Sequence, residues 1–243
     1  MTENYIKTAF ILGAGQGTRL RPLTDSCPKP LLPVGGRPII TYAMEQLLTL
    51  GVERFIVNTH HLAPVYDQVF PEKQWRGIPI IFRYEPLLLD TAGGLKNIED
   101  LLEGDDDLLV YNGDVISDLP LRRLLDAHQE AGKEVTLALR SSGEPLNVCL
   151  NKQNEVCDLR GELGGQGKKC LFTGIYVVKK SFLGHLQPSR PESVITVFLD
   201  MIRELPGAVA GVIIDEGRWY DAGSLEEYEK LNKLLSATKE GAR

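Results

Sequence analysis

Long apolar runs, paired cysteines and an excess of positive charge are all missing from this chain. A membrane helix needs ~20 consecutive apolar residues, and glycine, proline or charge interrupts every apolar run well before that. The opening MTENYIKTAFILGAG holds only a few apolar residues before Gly13, so it reads as a buried strand and not as an export signal. The four cysteines, Cys27, Cys149, Cys157 and Cys170, form no CxxC pair, and a chain of this size with so few cysteines needs no disulfide framework, which makes a reducing cytoplasm the expected setting. Lys and Arg number 27 against 33 Asp and Glu, a net charge of −6. That balance argues against a protein that works by neutralising nucleic-acid phosphates. Internal repeats are absent too, which excludes a solenoid and a hexapeptide β-helix.

What remains is an ordinary globular composition, 43% hydrophobic and 25% charged, on a chain of 243 residues, enough to bury a sizeable core. Strand-like and helix-like patterns alternate. KTAFILG, PIITYAMEQLLTLG and ERFIVNT give the strand, helix, strand order of a parallel βαβ unit. Further strands are expected at PIIFRYE, DLLVYNGD, EVTLALR, LFTGIYVV and AVAGVIID. Helices are expected around GGLKNIEDLLE, LPLRRLLDAHQEAG, SVITVFLDMIRELPG and SLEEYEKLNKLL. The alternation describes a doubly wound α/β sheet with helices on both faces, read as one domain over 1–243 with an elaborated stretch near 141–170. Such sheets bind ligands beyond the carboxyl ends of their strands, and the informative residues sit there.

After the first strand comes Gly13, Ala14, Gly15, Gln16, Gly17, Thr18, whose glycines let the backbone turn tightly and present N–H groups to phosphate oxygens. A dinucleotide loop would run straight into a helix, whereas Pro22, Pro28, Pro30 and Pro33 forbid a long one. A Walker loop would need GKS or GKT, which is absent. Arg19, Arg21 and Lys29 follow within a short span of an acidic protein, which points to a polyanionic ligand. Two acids stand at matching places: Asp114 closes the strand DLLVYNGD, and Asp221 lies in RWYDAGS before a helix that Ser224 can cap. Mg²⁺ is usually held by one or two protein carboxylates, with phosphates and water completing the shell, so two acids from distant segments suffice. His60 and His61 are adjacent on a strand end and diverge, so they read as a loop pair and not as metal ligands.

The run GAGQGTRLRPLTDSCPKPLLPVGGRPII resembles the N-terminal motif of the sugar-1-phosphate nucleotidyltransferases, GxGTRLxPLT followed by PKP, and the resemblance continues to about Leu235. It implies a Rossmann-like, mixed and mostly parallel sheet. It implies that Leu12 and Gly13 to Thr18 (Gly13, Ala14, Gly15, Gly17, Thr18) hold the triphosphate, with Arg19, Lys29 and Asp114 catalytic and Asp114 and Asp221 holding Mg²⁺. Glu85 matches the base-reading position, beside Thr91, Ala92 and Gly93, and a carboxylate, which only accepts hydrogen bonds, suits guanine or uracil. Asn112, Glu162, Thr173 and Gly174 match sugar-lining positions. The chain departs from the Glu-Lys-Pro motif of many members: Leu163 stands where lysine is expected, leaving Lys168 or Lys169 as substitutes.

The expected reaction joins a nucleoside triphosphate, UTP or GTP favoured, to a sugar 1-phosphate of N-acetylmuramate, mannose or heptose type. No nucleic acid or membrane partner is expected, and the oligomeric expectation is a monomer or small homo-oligomer. A cytidylyltransferase for a phospho-alcohol such as phosphocholine, or a non-catalytic sugar-nucleotide sensor, are the alternatives.

Overall fold

Residues 6–102, 104 and 107–240 are described by a computed structural model. In chain order its strands are β1 (Thr8–Leu12), β2 (Pro33–Val34), β3 (Arg37–Pro38), β4 (Arg54–Thr59), β5 (Gln74–Trp75), β6 (Ile78–Tyr84), β7 (Leu108–Asn112), β8 (Val115–Ser117), β9 (Val135–Arg140), β10 (Val148–Leu150), β11 (Val156–Leu159), β12 (Lys168–Val178), β13 (Val209–Ile213) and β14 (Trp219–Asp221). The helices are α1 (Ile40–Leu48), α2 (Pro64–Val69), α3 (Asp90–Lys96), α4 (Arg122–Ala131), α5 (Val194–Glu204) and α6 (Leu225–Glu240).

The central strands read as nearly continuous apolar runs because both of their faces are covered. Side chains alternate between faces along a strand. Phe10, Ile56, Leu108 and Val110 therefore join one core layer under α3 and α5, while Ala9, Ile11, Phe55, Val57, Leu109 and Tyr111 join the opposite layer under α1, α2 and α4. A third, smaller cluster packs Tyr228 and Leu231 of α6 against Leu32, Val34, Ile39 and Ile116. This cluster seats α6 over one end of the sheet.

The main sheet is mixed, in the order β11-β10-β12-β7-β1-β4-β6-β5, with β9 and then β13 attached to β12. Its centre, β7-β1-β4-β6, is parallel, and β12 runs antiparallel to β7, β9 and β10. From β1 the chain builds outward through β4 and β6, then returns to lay β7 on the other flank of β1. That reversal is the switch point at which such sheets leave a crevice. Both the glycine-rich loop after β1 and the Asn112-Gly113-Asp114 turn after β7 emerge there.

The helix expected around GGLKNIEDLLE begins earlier, at Asp90, and stops at Lys96, with a separate 3-10 turn at Glu99–Leu101. Its glycines set the placement by packing: a Cβ on Gly93 would lie 2.4 Å from the Arg190 carbonyl oxygen, and one on Gly94 2.8 Å from Asn58 Nδ2. Helix α2, the β2–β3 hairpin and β8 are too short to show a period in the sequence. Among the described residues, no helix is long and apolar enough to cross a membrane.

Candidate active site

The glycine-rich loop begins in crowded surroundings. Gly13 donates its N–H to Asn58 Oδ1 at 2.7 Å, and its carbonyl accepts from the Tyr66 hydroxyl at 2.9 Å. A Cβ there would sit 2.7 Å from the Asn58 carbonyl oxygen, so only glycine fits. Beyond it the chain opens. Gly15 has nothing within 4 Å of where a Cβ would point, and Gly17 takes the left-handed conformation at φ 62°. Among the described residues, the N–H groups of Ala14 to Arg19 have no protein acceptor. A run of unpaired N–H groups around a left-handed turn is an anion-binding nest. Thr24 ties the far side, donating its hydroxyl to the Gly17 carbonyl at 2.9 Å.

Two cavities adjoin at Asn112, one of them walled by this loop. One, of about 650 Å³, is lined by Leu12, Ala14, Gly15, Gly17, Thr18 and Arg19, then by Lys29, Asn112, Asp114, Leu88, Asp90 and Thr91. The other, of about 450 Å³, is lined by Asn112, Thr173 and Gly174 together with Glu144, Asn147, Trp219, Asp221 and Lys230. Asn112 belongs to both walls.

The two carboxylates are brought together by tertiary pairing. Strand β14 lies antiparallel to β8 with Asp221 opposite Val115, which sets Asp221 beside Asp114 at the end of β7. Gly113 makes the approach possible: its N–H donates to the Leu12 carbonyl at 3.0 Å, and a Cβ there would come within 2.3 Å of that oxygen. Ser224 caps α6 as expected, its hydroxyl oxygen accepting from the Glu227 N–H at 3.3 Å while the hydroxyl donates to the Glu227 carboxylate at 2.9 Å. Lys29, buried to 8% exposure, pairs with Asp114 and stands 3.8 Å from Asp221 Oδ1. Burial first, and then the neighbouring Asp114 charge, raise the Asp221 pKa to about 6, against the opposing pull of Lys29. Asp221 Oδ1 is itself buried with no hydrogen-bond partner. An orphaned carboxylate oxygen beside a second carboxylate, at the mouth of an anion nest, fits an oxygen-liganded divalent cation that completes its shell with phosphate and water. Arg19 is exposed and has no ion pair among the described residues, which leaves its guanidinium available to a ligand.

Other expected residues have different surroundings. Thr173 is fully buried and donates to the Ala138 carbonyl at 2.8 Å, bracing the bulge where Gly174 turns at φ 76°. A Cβ on Gly174 would meet Asn112 Nδ2 at 2.5 Å, so this glycine makes room for Asn112. Glu162 lies exposed in the turn after β11 and lines neither cavity, because β11 is the outer edge of the sheet. Lys168 and Lys169, exposed at the start of β12, line neither cavity, whereas Lys230 of α6 lines the second. Ala92 and Gly93 pack beneath the cleft, with the Ala92 N–H donating to the Glu192 carbonyl at 2.9 Å. Thr91 reaches the cleft wall and caps α5, its hydroxyl accepting from the Val194 N–H at 2.7 Å. Glu85 is fully buried and is absent from both cavity walls. Burial raises its pKa, opposed by hydrogen bonds from Asn58 and Leu89.

His60 Nδ1 meets the Glu85 carbonyl and His61 Nε2 the Thr24 carbonyl, each at 2.7 Å, as a loop pair does. Among the described residues, no group of three or more His, Cys, Asp or Glu side chains is placed to hold a metal. The four cysteines are free thiols. Sequence reasoning missed Asn58, Glu144, Asn147 and Lys230, none of which stands in a glycine-rich or acidic motif.

A family model described as nucleotidyl transferase matches residues 8–238. A mannose-1-phosphate guanylyltransferase of Mycobacterium tuberculosis is 31% identical over 224 residues, covering 90% of this chain and 62% of that protein. A UTP–glucose-1-phosphate uridylyltransferase of Synechocystis is 33% identical over 258 residues, covering 94% of this chain and 63% of that one. The chain thus spans about three fifths of the length of these relatives. Among solved structures, HddC from Yersinia pseudotuberculosis complexed with GMP-PN superposes with a TM-score of 0.76 at 21% identity, covering 94% of this chain and 99% of that one.

Proposed function

This chain belongs to the nucleotidyl transferase family, and on that premise we propose that it transfers a nucleotidyl group from a nucleoside triphosphate to a sugar 1-phosphate, releasing pyrophosphate. The observation that carries the reading is the Lys29 ammonium between Asp114 and Asp221, at the junction of an anion nest and a second cavity. UTP and GTP are the favoured triphosphates. The sugar is of mannose, heptose or N-acetylmuramate type.

In the proposed step an oxygen of the sugar phosphate forms a bond to the α-phosphorus. The bond from that phosphorus to the bridging oxygen breaks, and its electron pair leaves with pyrophosphate. The nucleophile is already anionic, since a phosphate monoester has its second pKa near ~6, so no general base is required. This accords with a cleft whose charged lining residues are Arg19, Lys29, Asp90 and Asp114, with no histidine or cysteine among its lining residues. The free amides of Ala14 to Arg19 would hold the triphosphate, and Arg19 and Lys29 would offset charge as the two anions approach. Asp114 and Asp221 would hold Mg²⁺, which when bound supplies Lewis-acid neutralisation of phosphate oxygens. Asn112, shared by both cavities, stands where the two substrates meet.

The test is pyrophosphate release over a matrix of four triphosphates and several sugar 1-phosphates, with and without Mg²⁺. Turnover of a sugar 1-phosphate that needs the metal supports the reading, and silence across the matrix removes it.

A second reading has one observation behind it. Phe172, Trp219 and Tyr220 line the second cavity together with Glu144 and Glu227, and aromatic faces with carboxylates suit a quaternary ammonium. CTP with phosphocholine therefore belongs in the same matrix.

A further inference from the structure

A single buried side chain joins the two halves of the triphosphate cleft. Asn58, one residue before the end of β4, is 2% exposed and lines the floor of the cleft. Its Oδ1 accepts from the Gly13 N–H at 2.7 Å, and its Nδ2 donates to Glu85 Oε1 at 2.8 Å. Glu85 Oε2 in turn accepts from the Leu89 N–H at 3.1 Å. The chain of bonds has only one polarity. A backbone N–H at one end needs an acceptor, the carboxylate in the middle offers only acceptors, and an amide presents one of each. Asparagine at 58 with a carboxylate at 85 satisfies every member.

The packing around the pair admits no slack. A Cβ on Gly94 would lie 2.8 Å from Asn58 Nδ2 and 3.0 Å from Glu85 Oε1. The Glu85 backbone is fixed as well, its N–H donating to the Thr59 carbonyl and its carbonyl meeting His60 Nδ1, both at 2.7 Å. At one end of the chain of bonds the phosphate nest begins, at Ala14. At the other end lies the segment whose Leu88, Asp90 and Thr91 face the same cleft.

We propose that Asn58 is a positioning residue that holds the phosphate nest and the segment facing the nucleobase as one unit, with the buried Glu85 carboxylate as its brace and not as a base-contacting group. The proposal rests on the reading of the cleft as a nucleoside triphosphate site. A nucleotide touches both walls at once, so its affinity depends on their separation being fixed before it binds. The sugar cavity shares no member of this chain of bonds.

The test exchanges the polarity of the central bond. In Asn58→Asp two carboxylates oppose each other. In Glu85→Gln the amide nitrogen faces either Asn58 Nδ2 or the Leu89 N–H, so one donor is left unmet. In the double variant the Gln amide donates to the new carboxylate and its oxygen accepts from Leu89, which satisfies all the bonds and keeps the net charge. Nucleotide affinity by calorimetry with UTP and GTP, KM for each substrate, and the thermal midpoint are measured for all four proteins. The expected result is a KM for the triphosphate raised about tenfold in each single variant, a sugar 1-phosphate KM changed less than about twofold, and recovery to within about threefold in the double variant. A double variant no better than the worse single one overturns the proposal. So does a Glu85→Gln protein that switches its preferred base, since that is the mark of direct base contact, or single variants that lose thermal stability with no change in triphosphate KM. An unsubstituted protein that binds neither triphosphate would instead remove the nucleotide reading, and the proposal with it.

Discussion

The Lys29 ammonium sits between two carboxylates, paired with Asp114 and 3.8 Å from Asp221 Oδ1. Without substrate it is the counter-ion that lets two acids share a small space. With a metal bound it competes for the same oxygens, and with phosphates bound it has new anions to meet. In the proposed reaction one residue would therefore oppose metal binding in the free protein and support the chemistry in the loaded one.

Lys29→Met separates these roles. Losing the competing cation is expected to tighten Mg²⁺ binding to the substrate-free protein, read by calorimetry. Turnover is expected to fall about 100-fold or more, since a desolvated charge aimed at the reacting phosphates is lost. Weaker Mg²⁺ binding together with unchanged turnover would contradict both assignments.

Asp221→Asn is expected to trade activity against stability. The folded-state pKa near 6 lies above the ordinary carboxylate value, so the folded protein binds the proton more tightly than the unfolded chain. Stability associated with this group is full below about pH 4 and is lost as pH rises through about 6. The Asn variant avoids that loss: its thermal midpoint should match the parent at pH 4 and exceed it at pH 7.5. The gain should be at most about 1 kcal/mol, since the side chain is 40% exposed and partly screened. Its metal-dependent turnover should fall by a factor of about 100 or more. In the parent, Mg²⁺ affinity should weaken as pH drops below 6, because a protonated carboxyl is a poor ligand.

Gly15→Ala and Gly113→Ala should behave oppositely. Nothing lies within 4 Å of a Cβ at Gly15, so the fold should keep its thermal midpoint while triphosphate KM rises about tenfold, the methyl group standing where phosphate oxygens approach the amides. A Cβ at Gly113 would press to 2.3 Å on the Leu12 carbonyl oxygen, a backbone atom that cannot rotate away. Chemical denaturation should show a loss of about 2–3 kcal/mol or more. Equal stability of the two variants would contradict the packing described.

Phe198→Ala tests the core beneath the cleft. Phe198 is fully buried on α5, its ring 5.7 Å from both Tyr176 and Phe182. Truncation should cost about 3–5 kcal/mol in denaturant unfolding. Well below the thermal midpoint kcat should stay within about twofold, since no atom of Phe198 lines either cavity.

The sequence by itself determined the elements that depend on neighbours along the chain. The glycine-rich loop with Arg19 and Lys29, the carboxylate closing β7, the Ser224 cap and the strand-helix alternation are all local patterns, written in turn chemistry and period. They were legible because a loop needs its glycines within a few residues and a strand needs its apolar residues in sequence. Only the tertiary structure decided the rest. It paired β14 with β8 so that Asp221 stands beside Asp114, and it carried the turn holding Glu162 to the outer edge of the sheet. It also buried Glu85 behind Asn58, at the position that the family resemblance matches to base reading. Burial, and hence the pKa of Asp221 and the polarity of the Asn58 bonds, depends on which distant segments cover a residue, and no spacing along the chain records that.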